Sequence, residues 1–171
     1  MLKSYLNFVS KTWILWATFI SFNLITFGIF KILPNLEGLL IDLQFSYDRA
    51  EVLTILGNIG SEGRTTYLWA NLIDMIFPFF YGSFFAGFLY RFRTIEHLWS
   101  LALVPVLLAF VDIGENMQIR AMLSAYPNIS ETQAFVASLF TSTKQTLLYV
   151  TLTLFVITGG AALMRYFRPT G

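Results

Sequence analysis

Four apolar segments of this sequence are each long enough to cross a lipid bilayer as an α-helix. A hydrocarbon core of roughly 30 Å requires about 20 helical residues. The segments lie at about residues 12–33, 66–90, 98–119 and 133–164. Hydrophobic residues make up 56% of the 171-residue chain and charged residues only 12%, whereas about a quarter of a soluble domain is charged. The sequence therefore predicts an all-α, four-helix transmembrane bundle that forms a single domain over residues 1–171.

Residues 34–65 are the only substantial extramembrane region of the prediction. Residues 41–46 alternate apolar and polar side chains, as a short extended stretch does. Residues 48–56 follow as a short amphipathic helix, which Gly57 and Gly60 are expected to end. We therefore expect a short amphipathic helix to cap the extracytoplasmic mouth of the bundle, between the first and second spans.

The basic residues predict that both termini are cytoplasmic, as in a bacterial inner (plasma) membrane protein. Cytoplasmic loops of membrane proteins carry an excess of Lys and Arg. The predicted cytoplasmic parts carry Lys3, Lys11, Arg91, Arg93, Arg165 and Arg168. The opposite side carries Lys31, Arg49, Arg64 and Arg120, diluted by Glu37, Asp42, Asp48, Glu51, Glu62 and Glu131.

Ionisable residues inside the predicted spans are the candidate site of function: Asp74, Asp112, Glu115 and Lys144. Such groups cost roughly 2.5–3.5 kcal/mol each on insertion, so they face the bundle interior, pair with one another or serve a function. Counted at about 1.5 Å per residue from the outer ends of the predicted helices, Asp74 and Asp112 lie roughly 12 Å deep and Lys144 roughly 16 Å deep. Three helices are therefore expected to bring these groups to one level in the outer half of the bilayer.

Polar residues at helical spacing extend this cluster into stripes. The second segment carries Tyr67, Asn71, Asp74, Pro78 and Tyr81 on one face. The third carries Asp112, Glu115 and Asn116, and the fourth carries Ser138, Thr141, Lys144 or Gln145, and Tyr149. Because lipid cannot satisfy polar groups, the stripes are expected to face one another.

Small residues mark the inner half of the bundle. Gly82 with Ala86, Ser83 with Gly87, and residues 159–162 have the small side chains that let helices approach closely. We expect tight packing on the cytoplasmic side. A pocket around the polar groups is then entered from the extracytoplasmic face or laterally from the outer leaflet.

Two interpretations of the ionisable cluster follow: a buried ion-pair network that sets helix register, and a ligand or catalytic site. One lysine cannot neutralise three carboxylates, so either Arg64 reaches in from the mouth or some of the acids stay protonated. A protonated carboxyl can act as a general acid. In the second interpretation, Asp74, Asp112 and Glu115 are acid–base or cation-binding groups and Lys144 is their charge partner. The residues predicted to orient the ligand are Arg64, Asn71, Tyr81, Asn116 and Gln145.

Several kinds of site are excluded. The chain has no cysteine and one histidine, so disulfides, thiolate nucleophiles and multi-histidine metal sites within one chain are absent. A net charge of +1 argues against a nucleic-acid partner. We predict no cofactor and no metal. A divalent cation held by Asp112, Glu115 and Asn116 stays an alternative because carboxylate and amide oxygens suit Mg²⁺ or Ca²⁺, although Lys144 would oppose it.

The leading hypothesis for function is a membrane pocket that binds a small amphiphilic or lipid-like molecule. In its stronger form, the pocket also transforms that molecule by acid–base chemistry, and the sequence does not decide whether the protein is an enzyme. The alternative is a non-catalytic subunit or assembly factor of a larger membrane complex. A third hypothesis is a proton-coupled transporter that works as an oligomer, because four helices without a repeat leave little room for alternating access.

Overall fold

The computed structural model describes residues 1–29 and 41–167, which are mostly helical and contain no β-strand. The helices in chain order are α1 (Leu2–Val9), α2 (Thr12–Leu24), α3 (Arg49–Asn58), α4 (Gly60–Asp74), α5 (Phe77–Phe92), α6 (Val104–Ala125) and α7 (Glu131–Tyr166). A π-helical turn over Ile25–Ile29 continues α2, and 3₁₀ turns occupy Ile41–Leu43 and Glu96–Leu103. The all-α class is confirmed for these residues. The predicted end of the first span near residue 33 and the start of the predicted cap lie outside the described residues.

Three helical stretches are long and apolar enough to cross a membrane. They are Gly60–Phe92, Glu96–Ala125 and Glu131–Tyr166, whose most apolar windows have mean hydropathies of 1.6, 1.8 and 2.0. The pair formed by Leu2–Val9 and Thr12–Gly28 passes the same test only as a unit, and its two helices meet at 78°. The described residues therefore contain three candidate spans, or four if the bent pair is one span. This composition is compatible with an integral membrane protein.

The longest helix, α7, has an apolar surface that the rest of the protein does not cover. It contains 36 residues, which correspond to about 54 Å at 1.5 Å per residue. Only 6% of its most apolar window is buried, and Val156, Ile157 and Met164 are among its exposed side chains. Soluble monomers rarely expose apolar surface on this scale, so α7 is suited to contact lipid.

Three apolar clusters follow one another along the bundle. The first, which we call the capped end, contains Ile41, Tyr47, Val52, Leu56, Tyr67, Ala70, Ile119, Met122, Ile129, Ala134 and Ala137. The middle cluster contains Tyr81, Phe84, Phe85 and Leu108. The third, which we call the basic end, contains Leu6, Ala86, Leu89, Tyr90 and Ala102. The helices α6 and α7 form the most extensive helix pair and connect the capped end to the middle of the bundle.

The predicted helix of the cap region is present as α3. Its first turn is closed by a reciprocal capping box, in which the Glu51 N–H donates to Asp48 Oδ1 and the Asp48 N–H donates to Glu51 Oε2, both at 2.8 Å. Gly60 has a φ of +66°, a left-handed conformation that favours glycine, and it turns the chain directly into α4. The predicted extended stretch is wrong at its start, because residues 41–43 form a 3₁₀ turn.

Small residues bring α5 close to its neighbours, as predicted. A Cβ atom added to Gly82 would lie 2.9 Å from the Ala109 Cβ of α6, and Gly87 faces the backbone carbonyl of Val9 in α1. The same expectation is wrong for part of α7. A Cβ on Gly160 would meet no described atom within 4 Å, and one on Gly159 would only touch Phe88 at 3.6 Å. Close packing at the basic end therefore involves α5 with α1, α2 and α6.

Candidate functional site

The predicted ionisable residues meet where the α4–α5 break approaches α6 and α7. Lys144 Nζ forms an ion pair with Glu115 Oε2 and lies 3.6 Å from Asp112 Oδ1. Asp112 is 5% exposed and Glu115 is fully buried. Asp74 is the last residue of α4. The structure therefore pairs the single predicted cation with two of the three predicted acids.

The ionisable residues lie further from the ends of their helices than predicted, because the helices begin and end further out. The helix α4 starts at Gly60 and α7 at Glu131, where starts at residues 66 and 133 were predicted. The helix α6 ends at Ala125, where an end at residue 119 was predicted. On helix-rise arithmetic, the three helices place their ionisable residues about 20 Å from the capped ends. The agreement between the helices supports the prediction of one common level, and the depth of that level in a bilayer stays a prediction.

Two buried amides connect Asp74 to α6. Asn116 Nδ2 donates to Asp74 Oδ2 at 3.0 Å. Asn71 Nδ2 in turn donates to Asn116 Oδ1 at 3.0 Å and to the Asn116 carbonyl at 3.2 Å. Both amide side chains are buried. The polar stripes predicted for the second and third segments therefore face each other.

Tyr81 forms a hydrogen bond with Asp112. Its hydroxyl donates to Asp112 Oδ2 at 2.7 Å, while Asp112 Oδ1 is the oxygen nearest Lys144. Each oxygen of this carboxylate is thus directed to a different helix. The ligand-orienting role predicted for Tyr81 stays a prediction, and in the structure its hydroxyl holds Asp112.

Asp42 joins the cluster, although the sequence places it in the predicted cap. The Tyr67 hydroxyl donates to Asp42 Oδ1 at 2.6 Å, and Asp42 lines the same cavity as Asp74 and Asp112. No helical spacing could have identified it, because it lies in a 3₁₀ turn outside any predicted span. Its presence raises the number of carboxylates around Lys144 to four.

A cavity of about 340 Å³ lies beside this cluster. Its lining residues are Phe22, Thr26, Asp42, Asp74, Phe77, Tyr81, Phe85, Leu108, Asp112, Lys144, Leu148 and Leu152. On α7, Leu148 and Leu152 follow Lys144 by one and two turns toward the basic end. On α6, Leu108 lies one turn below Asp112 in the same direction. The cavity is therefore polar at the level of the carboxylates and apolar below it.

The surroundings of the cavity bear on how a molecule would enter it. On α4, α6 and α7, the core of the capped end lies between the polar level and the capped ends of these helices. Phe22 and Thr26 of α2 border the cavity on another side. Both expected entrances, from the extracytoplasmic face and laterally from the outer leaflet, stay predictions.

Two predicted ligand-orienting residues lie elsewhere. The Arg64 guanidinium donates to the Leu56 carbonyl at 2.8 Å and stacks 4.3 Å from the centre of the Tyr126 ring. Gln145 donates to the Gln44 carbonyl at 3.1 Å. Neither residue lines the cavity, so the expectation that Arg64 reaches in to neutralise the acids is wrong.

Part of the predicted polar stripe of α7 holds the segment before α3 instead of facing the other helices. The Tyr47 N–H donates to Ser138 Oγ at 3.0 Å, and the Tyr47 hydroxyl is hydrogen bonded to Thr141 Oγ1 at 3.1 Å. Burial raises the pKa of the Tyr47 phenol, so the group stays a neutral hydroxyl. Tyr149, the last predicted member of the stripe, is 60% exposed.

The divalent-cation alternative finds no support. The part of the chain that the structure describes contains no group of three or more His, Cys, Asp or Glu side chains placed to hold a metal ion. Of the three proposed ligands, Glu115 is bound to Lys144, and the Asn116 amide is bound to Asp74 and Asn71. The Lys144 ammonium also lies 3.6 Å from Asp112 Oδ1 and would repel a cation bound there.

Removal of the Tyr81 hydroxyl tests the hydrogen bond to Asp112. We expect Tyr81→Phe to lower the free energy of unfolding in detergent by about 1.5–3 kcal/mol, because a buried carboxylate loses a donor. The control is Tyr149→Phe, whose ring is 60% exposed. It should change stability by no more than about 0.5 kcal/mol. Equal effects of the two substitutions would contradict the role given to Tyr81.

No protein-family model matches this chain, and no curated protein or solved structure matches it. The functional assignment therefore depends on the geometry of the cluster and its cavity.

Proposed function

We propose that the chain is a four-helix transmembrane bundle in which the bent α1–α2 pair supplies the first span. The other spans are α4 with α5, the 3₁₀ turn at Glu96–Leu103 with α6, and α7. Support comes from the packing of α2 along α5 and from the apolar side chains that α2 leaves exposed. These include Trp16, Ile20 and Leu24, which a lipid contact would cover.

We further propose that the basic end faces the cytoplasm, with the chain in a bacterial inner membrane. Basic side chains from different elements gather at this end. Arg91 donates to the Ser10 carbonyl at 3.2 Å and to Thr12 Oγ1 at 2.8 Å, and Arg165 donates to the Phe92 carbonyl at 2.9 Å. The positive-inside rule then supports a cytoplasmic location for both termini.

In this orientation, the polar level lies in the outer half of the membrane. Twenty-two residues separate Lys144 from Tyr166 at the end of α7, which is about 33 Å of helix. A hydrocarbon core of roughly 30 Å that begins at the basic end reaches almost to Lys144. The capped end would then project beyond the outer leaflet.

The cavity is proposed to bind a small amphiphilic or lipid-like molecule. The observation that carries this proposal is that one cavity joins a polar level to an apolar wall. Its polar groups are Asp42, Asp74, Asp112 and Lys144, and its apolar wall continues to Leu152. The volume of about 340 Å³ is at the small end of the roughly 300–1,000 Å³ typical of ligand pockets. A head group would occupy the polar level and an apolar tail would follow the wall.

Acid–base transformation of the ligand is the stronger form of this proposal. Asp74 and Asp112 both line the cavity and interact electrostatically with each other. Neighbouring carboxyl groups in a shared site readily hold one proton between them. A carboxyl that faces a bound head group can donate or accept that proton.

Filling the cavity tests the proposed binding. Leu148→Trp places a large side chain at the cavity wall, and the matched control is Leu139→Trp on the outer face of the same helix, where Leu139 is 56% exposed. The purified proteins would be compared by native mass spectrometry in a mild detergent. We expect the wild type and the control to retain a small molecule that Leu148→Trp loses. Equal retention by both variants would contradict the proposal, and a stable heteromeric complex without such a molecule would favour the subunit hypothesis.

A further inference from the structure

We infer that the head group of the ligand is a cation, specifically a protonated amine, held at the polar level between Asp42, Asp74 and Asp112. The apolar tail would extend toward the basic end of the bundle. This inference rests on the proposed amphiphile site and adds the charge and the direction of the ligand.

The first support is the balance of charge around the cavity. Three carboxylates line it, and Lys144 is the only cationic side chain among its described lining residues. The Lys144 ammonium is also paired with Glu115, which lies outside the lining. Its charge is therefore shared with a fourth acid. Uncompensated charge is costly where water is excluded, and a cationic ligand would reduce this excess.

The second support is the number of acceptor positions. The Tyr67 hydroxyl donates to Asp42, and the Asn116 amide donates to Asp74. Asp112 accepts from Tyr81 through Oδ2, whereas its buried Oδ1 atom receives no hydrogen bond from a described residue and has the Lys144 ammonium 3.6 Å away. An ionised carboxylate offers about four lone-pair sites, and an ammonium group has three donors and no acceptor. Acceptor positions on the lining carboxylates thus match the donors of an amine.

Other head groups fit these observations less well. An anionic head would be attracted by Lys144 but repelled by three carboxylates. A neutral alcohol would leave the charge imbalance in place. A small inorganic cation would neutralise charge but would leave the apolar wall from Phe85 to Leu152 unoccupied. Only an amine with an apolar tail uses both parts of the cavity.

The direction and reach of the tail follow from the helices. Leu148 and Leu152 lie one and two turns beyond Lys144, and Leu108 and Phe85 face the same cavity from α6 and α5. The wall therefore extends eight residues of α7 past Lys144, which is about 12 Å. A tail of this reach points away from the capped end.

The test compares three probes that carry apolar tails of similar length and differ in the head group: hexylamine, 1-hexanol and hexanoate. Each is titrated into the full-length protein in an uncharged detergent, and binding is measured by calorimetry and by the shift in the thermal unfolding midpoint. We expect hexylamine to bind at least about tenfold more tightly than 1-hexanol, because charge-assisted hydrogen bonds replace neutral ones. Hexanoate should bind most weakly.

Variants then assign the binding to the cavity. Asp42→Asn and Asp74→Asn should each weaken hexylamine about tenfold and leave the affinity for 1-hexanol unchanged. The control is Glu131→Gln, since the Glu131 side chain is 81% exposed, and it should have no effect on either probe. Leu148→Trp should abolish binding of all three probes.

The outcomes separate this inference from the proposed function. If 1-hexanol or hexanoate binds as tightly as hexylamine and Leu148→Trp abolishes that binding, the cavity binds amphiphiles and the cationic head group is overturned. If methylamine or sodium chloride stabilises the protein as much as hexylamine, the inference that the ligand carries an apolar tail is overturned. If no probe binds, or Leu148→Trp changes nothing, the proposed function itself fails.

Discussion

Replacement of Lys144 with methionine is expected to destabilise the protein by about 3–5 kcal/mol at neutral pH, the range for breaking a buried ion pair by removing one partner. Lys144 pairs with Glu115 and lies 3.6 Å from Asp112. Without the ammonium, both buried carboxylates lose their cation while Asp42 and Asp74 remain beside them. We expect this to be the largest effect of any single substitution in the cluster.

The pH dependence of this variant provides an independent check. At neutral pH, the folded variant should hold more protons than its unfolded chain, because protonation removes the uncompensated buried charge. Its stability is therefore expected to fall as pH rises and to recover as pH is lowered from about 7.5 to about 5. The measurement is the free energy of unfolding in detergent across this range, for the variant and the wild type.

Two controls make the result specific. Lys3→Met removes an exposed lysine and should change stability by no more than about 0.5 kcal/mol. The double variant Glu115→Gln with Lys144→Met should be more stable than Lys144→Met alone, since it removes a carboxylate that the single variant leaves unpaired. A Lys144→Met protein as stable as the wild type at neutral pH would refute the ion-pair assignment.

Substitution of Gly87 by alanine is expected to destabilise the protein by about 1–3 kcal/mol, the usual cost of overpacking. A Cβ atom at this position would press on the Val9 carbonyl of α1 and would lie 3.0 Å from Leu15 Cδ2 of α2. A backbone group cannot move aside as a flexible side chain does, so α1 must shift away from α5. Thermal and chemical unfolding in detergent would measure the loss.

Gly160→Ala is the matched control for this substitution. It also adds one methyl group to a helix near the basic end, but a Cβ at Gly160 would meet no described atom within 4 Å. Alanine is favoured over glycine inside a helix by roughly 0.5–1 kcal/mol, so this variant should be as stable as the wild type or slightly more stable. Equal losses in both variants would show that the close approach of α1 to Gly87 does not explain the effect.

The break in the second candidate span shows what a local signal can predict. Pro78 lies inside the second candidate span, where a proline is expected to kink or break the helix. Proline lacks an N–H and cannot bond to the carbonyl four residues earlier, which here belongs to Asp74. In the structure, α4 ends at Asp74 and α5 begins at Phe77, with Pro78 in its first turn. A local rule therefore accounts for the placement of an ionisable residue at a helix end.

The ends of the other helices depend on signals that hydropathy does not contain. Apolar windows locate the middle of a span, whereas α4, α6 and α7 continue beyond these windows. The cap of α7 is an exception, since Ser130 Oγ accepts from the Gln133 N–H at 3.1 Å, as the spacing of these residues predicts. Where such a cap is missing from the sequence, the end of the helix could not be placed correctly.

Within the site, the sequence predicted the residues better than their partners. Asp112, Glu115 and Lys144 were expected to meet because lipid leaves charged groups no other partner, and the structure brings them together. Asp42 was missed and Arg64 was misplaced. Both lie in or next to the segment between the first two spans, where no regular period relates a residue to the face it occupies.

By itself, the sequence determined the helical class, three of the predicted spans and a common level for the ionisable groups, because these depend on local periodicity and on the exclusion of charge from hydrocarbon. The tertiary structure decided which partners those groups have. In the structure, the Tyr81 hydroxyl donates to Asp112 and the Tyr67 hydroxyl donates to Asp42, which joins the cluster. One cavity is lined by both the polar level and the apolar wall. These features depend on contacts between residues far apart in the chain, and no helical period encodes how one helix is rotated against another.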